Sequence, residues 1–421
     1  MKIAVWQNLP SGGGRRALYN HLLGLAARGH TIDMWCPPTA DLRDLPFEKF
    51  ANIHVVDLRL PIRFRRSDEW QVTLETQRAL GEMEVHCREC AAEIDDGGFD
   101  ILFANTCQLF RTPSIGRFAK TPSVLYLQEP YRWLYEALPR LCWLAPPERP
   151  NGRLTIKALR DAFVDMRNLR NRRVQAREEV NNAAAFACLL VNSYFSRESI
   201  LRAYGLNADV CYLGIDNSLF TDTDQVRDDF IVGLGSITRE KNLELCILAV
   251  AAIPVPRPRL VWIGNVADRE TLKAMQALAA EKDVEFEPLV GISDDILIAT
   301  LQRASMMVYA PRLEPFGLAP LEANACGVPV VAVAEGGVRE TVVDGVTGLL
   351  VDSSPAAMAA GIERLRKDPT FARRLGADAK ANVADKWNLE ASIDRIEAQL
   401  KRFARSNNTN LVHSIDSSYP T

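Results

Sequence analysis

The sequence predicts an α/β protein of two doubly wound, Rossmann-like halves that face each other across a cleft. Three observations predict it. Short runs apolar on both faces alternate with longer helical patterns, as strands buried in parallel sheets do when helices cover both sides. The pattern restarts near residue 230, after the polar, acidic stretch CYLGIDNSLFTDTDQVRDD. The length, 421 residues, exceeds that of one ordinary domain.

Taken in order, the expected strands of the first half are KIAVW (2–6), TIDMWC (31–36), DILFAN (100–105), SVLYL (123–127) and CLLVNS (188–193). Those of the second half are FIVGLG (230–235), RLVWIG (259–264), MMVYAP (306–311) and VPVVAV (328–333). Between them, Ala- and Leu-rich amphipathic stretches such as 17–28, 243–252 and 270–282 read as helices. The division is residues 1–215 and 216–388, with an arginine-dominated insertion at 129–180 inside the first part. The polar tail 406–421 reads as flexible. In sheets of this kind ligands bind beyond the carboxyl ends of the strands, so the loops there are the place to look for chemistry.

Composition narrows the classes. Hydrophobic residues are 48% and charged residues 24%, which suits a soluble globular chain with a large core. A net charge of −3 gives no signal for nucleic acid. Nine scattered cysteines fit reduced thiols in a cytosol rather than a disulfide framework. MKIAVWQNLP reads as a first strand and not a signal peptide, and no apolar run is long enough to span a bilayer. The expected location is cytoplasmic. His86, Cys87 and Cys90 in HCREC could suggest a metal, but the segment looks helical and offers no further ligands, so these cysteines are expected to be structural.

Three motifs could carry chemistry. SGGGRR, Ser11 to Arg16, lies between the first strand and a helix. Its glycines let backbone come close to a ligand, and the following helix N-terminus favours an anion. It is neither GxGxxG nor a Walker motif, and a plain strand-to-helix turn would look the same. GSITREKN, Gly235 to Asn242, opens the second half with Arg239 and Lys241 at a helix start. Cations there oppose the helix dipole, a conflict that a bound diphosphate would resolve and a solvated turn would leave standing. EPFGLAPLE places Glu314 just before a helix expected to start near Phe316 or Gly317, and Glu322 about one and a half turns into it. A phosphate could bind the free N–H groups while Glu314 accepts from hydroxyls beside it; Glu322 could as well be a half-exposed surface residue.

The run EPFGLAPLEANACGVPVVAVAEGGVRETVVDGVTGLLVD resembles the signature of the retaining glycosyltransferases of family 4, which have the GT-B fold. Other segments resemble the same family in order: Gly12-Gly13-Gly14, LLVNSYFSRESILRAYG, YLGIDNSLF and, in part, GSITREKN. KWNLEASI resembles the start of its C-terminal helix, which implies a crossover helix at 389–405 returning to the first domain. The match covers most of 1–400, with the insertion 129–180 poorly covered.

The resemblance implies an acceptor-binding first domain and a nucleotide-sugar-binding second domain. By position, Glu314 would contact hydroxyls of the donor sugar and Glu322 the ribose. The N–H groups of Phe316, Gly317 and Leu318 would take the diphosphate, Lys241 would neutralise it as it leaves, and Val290 and Gly291 would face the base. Gly13 and Gly14 would complete the donor site. The family's phosphate-binding arginine aligns with Ser236, and Arg239 is expected to replace it. On the acceptor side YLQEP places Gln128, followed by Glu129, where the family often has histidine.

The implied enzyme is a retaining, metal-independent hexosyltransferase without a cofactor. It would use a GDP- or UDP-linked sugar, with mannose the expected hexose, and extend a saccharide or lipid-linked acceptor in polysaccharide synthesis. A nucleotide-sugar 2-epimerase of the same fold, and a non-catalytic sugar-nucleotide-binding scaffold, remain as alternatives. The arginine-rich insertion, with Trp133, Tyr135, Trp143 and Leu144 near its start, and RFRRSDEW at 63–70, are expected to meet an anionic membrane surface at the inner face of the plasma membrane. A solvated helical insertion would have the same composition.

Overall fold

The computed structural model describes residues 1–43, 45–60, 69–137, 141–144, 156–223 and 225–404, with backbone only at 69–75 and 156–157. The expected tail 406–421, the RFRRSDEW patch and parts of the insertion lie outside the described residues or side chains.

The first half contains β1 (Lys2–Asn8), α1 (Gly13–Ala27), β2 (Thr31–Cys36), β3 (Asn52–Val55), α2 (Glu69–Asp96) and β4 (Ile101–Cys107). It continues with β5 (Ser123–Gln128), α3 (Arg132–Tyr135), α4 (Ile156–Ala184), β6 (Cys188–Val191), α5 (Tyr194–Tyr204) and β7 (Asp209–Val210). The second half contains β8 (Asp228–Leu234), α6 (Leu243–Ala251), β9 (Arg259–Gly264), α7 (Arg269–Glu281), β10 (Phe286–Val290), α8 (Asp294–Arg303) and β11 (Ala304–Tyr309). It ends with α9 (Leu318–Ala325), β12 (Val330–Val333), α10 (Val338–Thr341), β13 (Gly348–Val351), α11 (Pro355–Lys367), α12 (Pro369–Lys386) and α13 (Leu389–Phe403).

Both sheets are parallel. The first runs β3-β2-β1-β4-β5-β6-β7 and the second β10-β9-β8-β11-β12-β13. Chain order reverses between β1 and β4 in one sheet and between β8 and β11 in the other, so the crevices that bind ligands open at those points. The central strands are sealed on both faces: β4 and β12 are buried along their whole length. The expected α/β class is the observed one, and the nine expected strands are all present. The strands not expected from the sequence are the short or peripheral ones: β3 (NIHV), β7, the four-residue β13 (GLLV), and the edge strand β10 (FEPLV), which carries a Pro and a Glu.

Contacts between the halves fix the cleft. The Ile215 N–H donates to the Trp387 carbonyl at 2.9 Å, and the return helix α13 lies on α1. There, Gly24 leaves room for Ile393, whose Cδ1 would stand 2.1 Å from an added Cβ. His21 meets Ser392 Oγ at 2.8 Å, and burial lowers the His21 pKa to about 4. Arg28 adds ion pairs to Glu390, Asp394 and Glu397. No described helix is long and apolar enough to cross a membrane. Cys87 and Cys90 are buried on α2, where burial raises both thiols, and the Trp6 indole N–H donates to His86 Nε2 at 3.2 Å.

Candidate active site

The loops after β8 and β11 converge at the second switch point. The turn after β8 passes through Gly235 at φ 154°, and an added Cβ there would stand 3.3 Å from the Lys241 stem. Lys241 crosses to the loop after β11 and pairs with Glu314, Nζ to Oε2 at 2.8 Å. Both are mostly enclosed, with 26% and 15% of their side chains exposed. Beneath them Tyr309 closes β11. Burial, and after it the charges of Glu314 and Glu322, push its phenol well above the ordinary range.

The helix expected near Phe316 or Gly317 begins at Leu318, with Gly317 at φ 102° as its cap and no capping side chain. The shift has a cause. Phe316 is turned inward against Trp387 and Tyr212, at ring distances of 5.5 and 6.2 Å, so its backbone belongs to the anchor and not to the helix. The loop is also clamped from outside. Gly336 and Gly337 lie so close that added Cβ atoms would stand 2.2 Å from the Glu314 and Pro315 carbonyl oxygens. The Gly337 N–H donates to the Glu314 carbonyl at 2.7 Å, while the Pro315 carbonyl accepts from Ser193 Oγ of the first half at 2.5 Å. This Gly-Gly pair lies within the signature run, and its only mark in the sequence is that two adjacent glycines follow a strand.

Glu322 faces inward from α9 and is not the half-exposed surface residue its neighbours allowed, with 13% of its side chain exposed. Burial raises its pKa above the ordinary carboxylate range; Arg16 pulls it back and Asp294 adds to it. Arg16 comes from α1 of the first half. It pairs with Asp294 at 2.7 Å and faces Glu322 at 4.0 Å. Its neighbour Arg15 is buried instead against Asp41 at 2.9 Å.

The glycine loop lies across the cleft from these groups. Gly12 caps α1 at φ 143°. An added Cβ on Gly13 would stand 3.2 Å from Leu318 Cδ1, and one on Gly14 would stand 3.4 Å from the Gln128 amide. The structure thus brings Gly13, Gly14, Leu318 and Gln128 together. Gln128 ends β5 at φ 64°, a backbone conformation rare for a residue other than glycine and common at functional sites. Ser236 Oγ donates to Asn265 Oδ1 at 2.9 Å, and Asn265 also faces Gly12. Val290 is 41% exposed and Gly291, at φ 67°, opens onto free space at the carboxyl end of the edge strand β10. Arg239 is exposed, within electrostatic range of Asp268.

On the acceptor side Glu129 pairs with Arg111 at 2.9 Å and faces Arg132 at 3.6 Å. Arg132, from the insertion, also binds Glu136 at 2.7 Å and donates to the Arg312 carbonyl of the second half at 2.7 Å. Burial opposes its charge, but Glu129, Glu136 and, further off, Glu314 outweigh it and raise its pKa. Arg132, Arg16, Tyr309 and Asn265 are site residues that sequence reasoning did not single out. Asn265 directly follows β9 and Arg16 stands in the first turn of α1, the helix after β1, so both were findable from the switch-point rule; Arg132 was hidden among the arginines of the insertion.

Comparison with known proteins bears on the fold that carries these residues. Residues 220–382 match the family described as Glycosyl transferases group 1. The chain is 28% identical over 235 residues to alpha-1,3/1,6-mannosyltransferase ALG2 of Mus musculus, covering 49% of this chain and 57% of that protein. It is 30% identical over 244 residues to D-inositol 3-phosphate glycosyltransferase of Pseudarthrobacter chlorophenolicus, covering 53% and 57%. The alignments thus span about half the length of these curated relatives. Anabaena HepE, crystallised with UDP and glucose, superposes over 95% of this chain and 99% of its own, with a TM-score of 0.71 and 19% identity. Sucrose-phosphate synthase of Thermosynechococcus elongatus gives 0.70 and 20%, over 95% and 98%. At such identities the structures establish the fold. The chain has the GT-B fold, and its residues 220–382 match the family described as Glycosyl transferases group 1.

Proposed function

We propose that this chain is a retaining, metal-independent hexosyltransferase of family 4. It moves mannose from a nucleotide-diphosphate sugar to a saccharide acceptor, in a lipid-linked glycan. The observation that carries the reading is the Lys241–Glu314 pair at 2.8 Å, set against the uncapped start of α9. Breaking a sugar–diphosphate bond develops negative charge on the leaving phosphate and positive charge on the sugar. Lys241 and the N–H groups at Gly317 and Leu318 would stabilise the first, and Glu314 would hold sugar hydroxyls beside the second. Glu322 would take the ribose, and Val290 and Gly291 would flank the base. Gln128 and Glu129 would face the acceptor, with the departing phosphate oxygen accepting its proton. Glycosidases instead set two carboxylates astride one bond.

The donor class draws support from HepE, crystallised with UDP and glucose, and the mannosyl choice from the name of ALG2. The test is nucleotide-diphosphate release from GDP-mannose and UDP-glucose, with and without saccharide acceptors and with chelator added. The anomeric configuration of the product is read by NMR. Acceptor-dependent release with retained configuration, insensitive to chelator, supports the reading. Interconverted nucleotide-sugars would mark an epimerase, and binding without turnover a scaffold.

A peripheral membrane role belongs to the same reading. Trp133, Trp143 and Leu144 are exposed near the start of the insertion, with Leu159 and Met166 exposed on the arginine-rich α4. Flotation with anionic liposomes at low salt tests it, and binding that does not respond to anionic lipid counts against it.

A further inference from the structure

The two arginines of SGGGRR have different surroundings. Arg15 is spent inside the first half, on Asp41 and on the carbonyls of Asp41 and Arg43. Arg16, one residue further round α1, leaves its own half. Its guanidinium meets two carboxylates of the second half, Asp294 at 2.7 Å and Glu322 at 4.0 Å. The pair with Asp294 joins groups 34% and 54% exposed, and such surface pairs contribute little alone. Glu322 is different, because a carboxylate withdrawn from water depends on a facing cation to keep its charge.

We propose that Arg16 is the positioning residue for Glu322: it presents a cation to the ribose carboxylate from the opposite half. The inference rests on the donor reading above. Ribose hydroxyls donate to an ionised carboxylate more strongly than to a protonated one. The charged and titratable groups around Glu322 are Arg16 from α1, Asp294 from α8, Tyr309 from β11 and Cys326 at the end of α9. Arg16 is the cation among them that acts on Glu322, and burial together with Asp294 works the other way. Removing Arg16 therefore lets the Glu322 pKa climb further, so nucleotide binding becomes weak in mild acid and recovers as pH rises. At 4.0 Å the contact is loose enough for the carboxylate to turn toward a ligand without losing the cation.

The experiment is calorimetric titration of UDP and GDP into wild type, Arg16→Ala, Arg16→Lys and Glu322→Gln at about pH 6 and about pH 8. Thermal unfolding of each variant checks the fold. Arg16→Ala is expected to weaken binding about tenfold at the lower pH and by a smaller factor at the higher. Arg16→Lys, which keeps the charge, regains most of it. Wild-type affinity in Arg16→Ala at both pH values, with binding lost in Glu322→Gln, overturns the proposal and leaves the donor reading standing. A loss of equal size at both pH values also overturns it, because that marks direct contact with the nucleotide. Wild-type binding in Glu322→Gln removes the ribose assignment, and the role of Arg16 with it.

Discussion

The polar centres of the two halves are built in opposite ways. In the second half, Lys241 and Glu314 come from two short loops at one switch point. Glycines at φ 154° and 102° hold those loops in conformations other residues rarely adopt, and Gly336, at φ 62° in the loop after β12, packs against the second of them. In the first half, the charged groups stand on the loop after β4 (Arg111), just after β5 (Glu129) and on helices α3 and α4 (Arg132 and Glu179). Among the described residues, Nε of Arg111, Oε2 of Glu129 and Oε1 of Glu179 are buried without a hydrogen-bond partner. A fixed backbone gives a preorganised site, whereas a buried carboxyl such as Glu179, whose charged form burial disfavours, can gain or lose a proton as its surroundings change.

If the second centre is preorganised for transfer, its loss has the largest effect. Glu314→Ala and Lys241→Ala should each lower kcat about 10²–10³-fold, with thermal unfolding little changed. Wild-type turnover in either would remove the site assignment. Gly337→Ala comes next. Its Cβ would stand 2.2 Å from the Pro315 carbonyl oxygen, so the loop carrying Glu314 must move. A displacement near 1 Å at a reacting centre costs about 10–100-fold, read in kcat. A variant as fast as wild type would show that the loop is softer than its glycines suggest.

The same contrast explains what could be read from the sequence. The second half encodes its site in contiguous motifs, so Glu314, Lys241 and the start of α9 could be placed to within two residues. The paired sheets were legible because β4 and β12 open on the apolar runs ILFA and VVAV, while β3 and β10 carry no such run. The first centre was not legible, because pairing depends on which segments the topology brings together. Separation alone is not the reason, since Arg111 and Glu129 are 18 residues apart and Thr112 and Glu179 67, while Lys241 and Glu314 are 73 apart but each sits in a recognisable motif. Nothing local distinguished Arg132 from the arginines around it, and the positive φ of Gln128 leaves no mark in YLQEP.

Arg132 is where the two centres touch, since it joins Glu129 and Glu136 to the Arg312 carbonyl. Arg132→Ala should leave donor binding near wild type and raise the acceptor KM roughly tenfold. An equal loss in donor affinity would show that the centres are one unit and would break the contrast drawn here.

The smallest effect concerns stability and tests whether the first centre titrates. Glu179, on α4, is 1% exposed and accepts the Thr112 N–H at 2.8 Å and the Tyr204 hydroxyl at 3.3 Å. Burial raises its pKa to about 7, against the pull of Thr112, Arg111 and Tyr204. The folded protein thus holds this proton more tightly than the unfolded chain does. The stability it contributes is full below the ordinary carboxylate pKa and is lost as pH rises through about 7. Glu179→Gln keeps an oxygen for the two donors and cannot ionise. Its thermal midpoint should match wild type near pH 5 and exceed it by a few degrees near pH 8, on the order of 1–2 kcal/mol. A variant less stable than wild type by the same amount at both pH values would mean that the charge itself is needed, as the partner of Arg111, and the first centre would then be as fixed as the second.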